Sequence, residues 1–205
     1  MPKSRVYMPT KHRFFDSLVT LLALVDALSN TFHLHHGKST TGFASRTLEF
    51  QGMKGVSGID LLFADAASLT TSLCKEQWPN RLELLERAIT NSPNFPVGFS
   101  VGGIQRLHSQ YFQAVFIHFY ESVVPLVVQL YGKKQVNWPD IWNFGRVVRN
   151  AFAHGGCVRI DDPNSRPVNW GNLTYSYSDN GRNLLFNDLC IVELILLMEE
   201  MDALL

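Results

Sequence analysis

Between Ile104 and Tyr131 the chain carries its most apolar long segment, and this stretch constrains the fold more than any other. Phe112, Val115, Phe116, Ile117, Phe119, Tyr120 and Val123 surround a helical axis instead of striping one side of it. Such a helix is stable only when other elements enclose it, so the segment predicts the central helix of a bundle. Pro125 costs about 3 kcal/mol in a helix interior unless neighbours accommodate it, so a kink or a fresh turn is expected there. Gly132 ends the segment. Its polar residues His118 and Glu121 are expected to face inward and to need partners.

Other helices follow from spacing. Phe15, Leu18, Val19, Leu22, Val25 and Leu28 recur at three and four, predicting an amphipathic helix from Phe14 to about Phe32. Ile59, Leu62, Phe63, Ala66, Leu69 and Leu73 predict a second over Gly58 to Trp78, broken by Pro79-Asn80. A third is read over Arg81 to Thr90 from Leu82, Leu85 and Ile89. Pro139 suits the first turn of a helix running to Gly155-Gly156. Residues 1–12 read as a flexible polar arm, 33–57 as a long Gly/Ser/Thr-rich loop, and 91–103 as a linker.

Past Gly156 the period changes to two. Val158–Ile160 and Leu173–Ser178 alternate as strands do, and Asn180-Gly181 supplies a turn returning through Leu184 to Phe186. Asn187 or Asp188 then caps a final helix. The expected fold is mainly α: an up-and-down bundle of four to six helices in one domain, 1–205, with a small antiparallel hairpin before the last helix.

Eighteen Lys and Arg balance eighteen Asp and Glu, which disfavours a non-specific polyanion binder. Cys74, Cys157 and Cys190 are far apart and form no Cys-x-x-Cys pair, as expected of reduced thiols. The apolar run after Phe14 contains Asp16 and Asp26, which argues against a signal peptide or membrane span, and a cytoplasmic protein is expected.

The chemistry gathers at the end of the fifth predicted helix. Asn150 and His154 are four residues apart and share a face. Arg149 and His154 are separated by about 140° around the axis, but the long arginine and the loosening glycines allow them to converge. Arg146 sits one turn before Asn150, with its guanidinium in reach of the same surface. An imidazole, a guanidinium and an amide at one helix end are the parts needed to bind a phosphodiester and move its protons.

Arg149-Asn150-Ala-Phe-Ala-His154 resembles the R-x4–6-H motif of HEPN domains, with Asn150 as the polar residue that commonly follows the arginine. The resemblance extends loosely from Ile104 to the end, towards a bacterial and plasmid-borne branch of that superfamily. It implies a helical bundle that pairs two-fold and brings two motifs into one cleft. It further implies a metal-independent endoribonuclease of toxin–antitoxin, abortive-infection or other defence systems, without a cofactor and with RNA as substrate and an antitoxin as possible partner. His154 would be the acid or base, Arg149 would hold the phosphate, Asn150 would orient the histidine or hydrogen-bond the phosphate, and Arg146 would bind substrate. Cleavage by the 2'-hydroxyl would leave a 2',3'-cyclic phosphate. The alternative is a non-catalytic HEPN interaction or dimerisation module that binds a partner protein or nucleotide; the plainest reading is a helix cap, with the histidine on last-turn carbonyls and the arginine paired with Glu121 or an acidic neighbour.

Remaining motifs have plainer readings. His33, His35 and His36 are expected to be helix-terminal side chains and not metal ligands. Asp161-Asp162-Pro163-Asn164 reads as a turn. Glu199, Glu200 and Asp202 read as a solvated helix face, and Trp138, Trp142 and Phe144 as core or dimer-interface anchors.

Overall fold

The computed structural model describes residues 3–35, 47–88 and 103–205. Its elements run β1 (Lys3–Tyr7), α1 (Phe15–His35), β2 (Leu48–Gln51), β3 (Ile59–Phe63), α2 (Ala66–Cys74), β4 (Leu82–Ala88), α3 (Gly103–Tyr131), α4 (Asp140–Ala153), β5 (Val168–Trp170), β6 (Leu173–Tyr175) and α5 (Ile191–Asp202). The mainly-α bundle is therefore overturned. The fold is mixed: helices packed with an antiparallel four-stranded sheet, order β1-β4-β3-β2, and a separate β5-β6 pair.

The sheet occupies the segments read as arm, loop and helices. The arm contains β1, aligned with β4 so that Arg5 lies opposite Leu84 and Tyr7 opposite Leu82. The long loop contains β2, while residues 36–46 lie outside the described ones. The second predicted helix divides into β3 and the short α2. The third is β4, whose Leu82 and Leu84 are buried at a spacing of two.

One strand of this sheet meets α5 through charge. Arg5 in β1 donates from Nε to Glu86 (2.6 Å) and from Nη1 to Glu199 (2.6 Å), and the Tyr7 hydroxyl donates to Glu199 at 2.8 Å. Asp202 is buried and accepts from Arg13, and Glu200 accepts from Trp170 Nε1 at 2.9 Å. The acidic residues of α5 thus bind the rest of the fold instead of forming a solvated face.

α3 lies between α1 and α4 and contributes Phe112, Phe116, Phe119, Val123 and Val127 to one apolar cluster shared by helices and sheet. It continues as helix through Pro125. His118 and Glu121 are exposed, contrary to the inward orientation expected of them. Among the described residues, Arg106–Tyr131 is the one helix long and apolar enough to cross a membrane, and a third of its apolar window is buried. Trp142 and Phe144 are fully buried, with Trp142 Nε1 donating to Met201 O at 3.1 Å, so neither is open to a dimer partner.

The hairpin also pairs differently. β6 folds back on β5, Leu173 opposite Trp170, while Ser176 and Asp179 cap a short 3-10 turn over Tyr177–Asp179. The Asn180-Gly181 turn instead brings Arg182 against Val158, whose N–H donates to Arg182 O at 2.9 Å. The final helix is capped by Cys190, not Asn187 or Asp188. Glu193 accepts from the backbone N–H of Cys190 at 3.0 Å.

Candidate functional site

α4 buries Trp142, Phe144, Val147, Val148, Ala151 and Phe152 and leaves a polar side containing Arg146, Arg149 and Asn150. This division follows from the 3.6-residue period, because an apolar stripe toward the core places the intervening polar residues outward. The helix stops at His154. Gly155 and Gly156 both have left-handed backbone angles, φ +89° and +87°, and the Gly156 N–H donates to Ala151 O at 2.7 Å. A side chain at Gly156 would approach Gln113 of α3 to 3.2 Å, so the chain leaves the helix tight against α3.

His154 is exposed, at the edge of a shallow groove of about 370 Å³. Cys157, Arg159, Asp161, Tyr177 and Asn180 also line this groove. Asn180 fixes its wall: its side-chain oxygen accepts from Ile160 N at 2.7 Å and its amide donates to Ile160 O at 2.8 Å. Arg159 pairs with Asp161 at 3.3 Å in full contact with solvent. Tyr177 presents an exposed ring. Sequence reasoning did not find Arg159 or Tyr177. They reach His154 through the Val158–Arg182 pairing, which no local spacing signals.

Arg149 does not line that groove. Its Nε donates to Glu121 Oε1 on α3 at 2.5 Å, and its Nη1 donates to Asn150 Oδ1 at 3.3 Å. Glu121, Arg149 and Asn150 form one linked row across the α3–α4 seam, and His154 stands at its end. Below them, burial pushes the Tyr120 phenol far up, an effect that the positive charges of Arg146 and Arg149 oppose only in part.

Arg146 is placed elsewhere. It lines a second pocket of about 400 Å³ with Asn143, Asn164, Ser165 and Arg166, apart from the His154 groove. The Asp161–Asn164 segment forms a turn, with Asn164 N donating to Asp162 Oδ1 at 2.9 Å. Among the described residues, no group of three or more His, Cys, Asp or Glu is arranged to hold a metal ion. The side chains of His33, His35 and His36 lie outside the described ones. All three cysteines are free, and Cys74 is exposed.

No family model matches the chain, and neither a curated protein nor a solved structure matches it.

Proposed function

We propose that the protein is a metal-independent endoribonuclease of HEPN type that acts in the cytoplasm as a homodimer, in a toxin–antitoxin or other defence setting. The observation that carries the reading is the openness of His154: its imidazole is free to meet a substrate at a groove, with Arg149 and Asn150 one turn behind it. In this reading His154 moves the proton of the attacking 2'-hydroxyl or of the leaving 5'-oxygen. Arg149, aimed by Glu121, stabilises the charge that develops on the phosphate, and Asn150 aligns the pair. Arg159 adds a second cation beside His154, and Tyr177 offers a ring on which a base can stack. A two-fold partner would supply a second Arg149–His154 set to the same cleft, concentrating positive charge in a chain of zero net charge.

One observation favours the non-catalytic alternative. The Arg149 guanidinium is already engaged by Glu121 and Asn150, as a structural ion pair would be. The two readings separate on purified protein with labelled RNA. The nuclease reading expects cleavage to 2',3'-cyclic phosphate ends in the presence of a chelator, with losses of at least about a hundredfold in His154→Ala and Arg149→Ala, a typical contribution of acid–base and oxyanion-stabilising groups. Full activity in both variants, or none in the wild type at any protein concentration, removes it.

A further inference from the structure

The second pocket holds an arginine without a hydrogen-bond partner. Arg146 is half-buried on α4, and its Nε is enclosed without any hydrogen-bond partner. Enclosed donors in folded proteins are almost always satisfied, and a guanidinium withdrawn from water without a counter-charge is costly. Among the described residues, four other arginines meet a buried or half-buried carboxylate and pair with it: Arg5 with Glu86 and Glu199, Arg13 with Asp202, Arg87 with Asp60, Arg182 with Asp188. Arg146 does not, although Asp140 and Asp162 line the same pocket and neither forms an ion pair with it.

Arg166 enters the pocket from the segment before β5 and is likewise without an ion pair. The two guanidiniums converge on one space from separate parts of the chain. The donors around them are neutral: the Ser165 hydroxyl and the amides of Asn164 and Gln135 line the cavity and have no side-chain donor bond of their own. Asn143 is the exception. Its amide is spent on Gln135 O (3.0 Å) and Trp138 O (3.1 Å), which fixes the wall of the pocket to the turn before α4. Two unpaired planar forks are suited to a tetrahedral oxyanion, and arginine is the side chain that binds phosphate in this bidentate manner. The cavity of about 400 Å³ exceeds what one ion fills and falls in the range of small-molecule sites.

We infer that the pocket between α4 and residues 162–168 binds the phosphate group of a small molecule through Arg146 and Arg166. The ligand supplies the hydrogen-bond acceptor that Arg146 lacks, with the exposed Arg166 at the rim. Asp140 and Asp162 in the same lining favour a single phosphate over a polyanion spread across the pocket. This site stands independently of the nuclease reading, because His154, Asn150 and Arg149 are absent from its lining.

The test uses the full chain with inorganic phosphate and adenosine monophosphate as probes, against chloride at matched ionic strength. Binding is followed by calorimetry and by the shift in melting temperature, which rises with any ligand that binds the folded state alone. Saturable binding at roughly millimolar Kd or tighter is expected for phosphate, with adenosine monophosphate at least as tight. Arg146→Gln and Arg166→Gln should each weaken both probes by about fivefold or more, and Arg81→Gln, an exposed residue in neither pocket, should bind like the wild type. Arg166 is exposed, so Arg166→Gln keeps the test valid if Arg146→Gln fails to fold. Absence of saturable binding, wild-type affinity in Arg166→Gln, or a phosphate effect equal in every variant would overturn the site. Binding of phosphate with exclusion of the nucleotide would overturn the small-molecule assignment.

Discussion

Arg149 of α4 and Glu121 of α3 meet across the seam between the two helices, Nε to Oε1 at 2.5 Å. Both side chains are partly open to water, so the contact does little for folding: exposed pairs contribute about 0–1 kcal/mol. Its effect is directional. It holds the guanidinium beside Asn150, on the stretch of α4 that leads to His154. Glu121 thereby acts as a positioning residue for the proposed phosphate clamp.

Replacing Glu121 with Gln keeps the shape and removes the charge. Stability should change by less than about 1 kcal/mol. Proposed RNA cleavage should fall by roughly tenfold, equivalent to about 1.4 kcal/mol in the barrier, as Arg149 loses its fixed aim. Thermal melts and single-turnover cleavage rates on the same preparation check the two parts. A drop in stability with unchanged cleavage would mean that the pair is structural.

Asp188 presents the opposite case, a carboxylate with no exposed surface held by two cations and by hydrogen bonds. Arg182 Nε lies at 2.6 Å, Lys54 Nζ at 3.0 Å and the Tyr175 hydroxyl at 3.2 Å. Burial pushes this carboxyl up, but the hydrogen bonds and charges of Arg182 and Lys54 outweigh it and hold it below its usual value. A depressed carboxyl stabilises the fold fully above its unfolded pKa, near 3.9, and loses that contribution as pH falls through the folded value. Asp188→Asn should cost about 2–4 kcal/mol at neutral pH by leaving Arg182 and Lys54 without their shared counter-charge. The gap to wild type should narrow below about pH 4. Denaturant melts from neutral pH to acid check both statements.

The helices were legible where burial enforces a 3.6-residue period. α1, α3 and α4 fall close to their expected spans, and α4 ends at Ala153 with His154 as its C-cap. The sheet was hidden for a physical reason. Leu82-Glu-Leu-Leu satisfies both periods, since Leu82 and Leu84 match a strand while Leu82 and Leu85 match a helix turn. β1 has only Tyr7 fully buried, and its Arg5 is neutralised by Glu199, nearly the whole chain away. Polarity there reflects long-range pairing and not exposure. The neighbours of His154 and Arg146 were illegible on the same ground: Tyr177 and Arg166 arrive through the folding of the 157–189 segment, whose strand partners are set by tertiary contacts.

Gly171 closes the β5–β6 turn against a second chain segment. Its φ is +54°, and a Cβ would lie 2.3 Å from the Gly55 carbonyl oxygen, which accepts from Asn172 N at 3.0 Å. Backbone cannot yield as a side-chain tip can. Gly171→Ala should destabilise by about 2–4 kcal/mol, combining steric overlap with a strained backbone angle. Gly145→Ala serves as the comparison, because its Cβ would meet the flexible end of Met201 at 2.6 Å. There the gain in helix propensity, about 1 kcal/mol, offsets much of the overpacking. Paired equilibrium melts should rank Gly171→Ala as clearly the more damaging.

Pro125 lies four residues after Glu121 inside α3, and lacking an N–H it leaves the Glu121 carbonyl without its helical donor. The pyrrolidine ring is exposed, so its replacement removes little packing. Pro125→Ala should therefore restore one hydrogen bond and raise stability by about 1–3 kcal/mol, read as a higher melting temperature. The same change tightens the helix turn that carries Glu121, which tests whether Arg149 depends on a locally loosened α3. If it does, Pro125→Ala lowers the proposed RNA cleavage while stabilising the fold, the reverse of the correlation expected when a variant acts through folding alone. A Pro125→Ala protein that melts earlier than wild type would show that α3 is built around the proline, and the positioning role of Glu121 would then rest on the Glu121→Gln measurement.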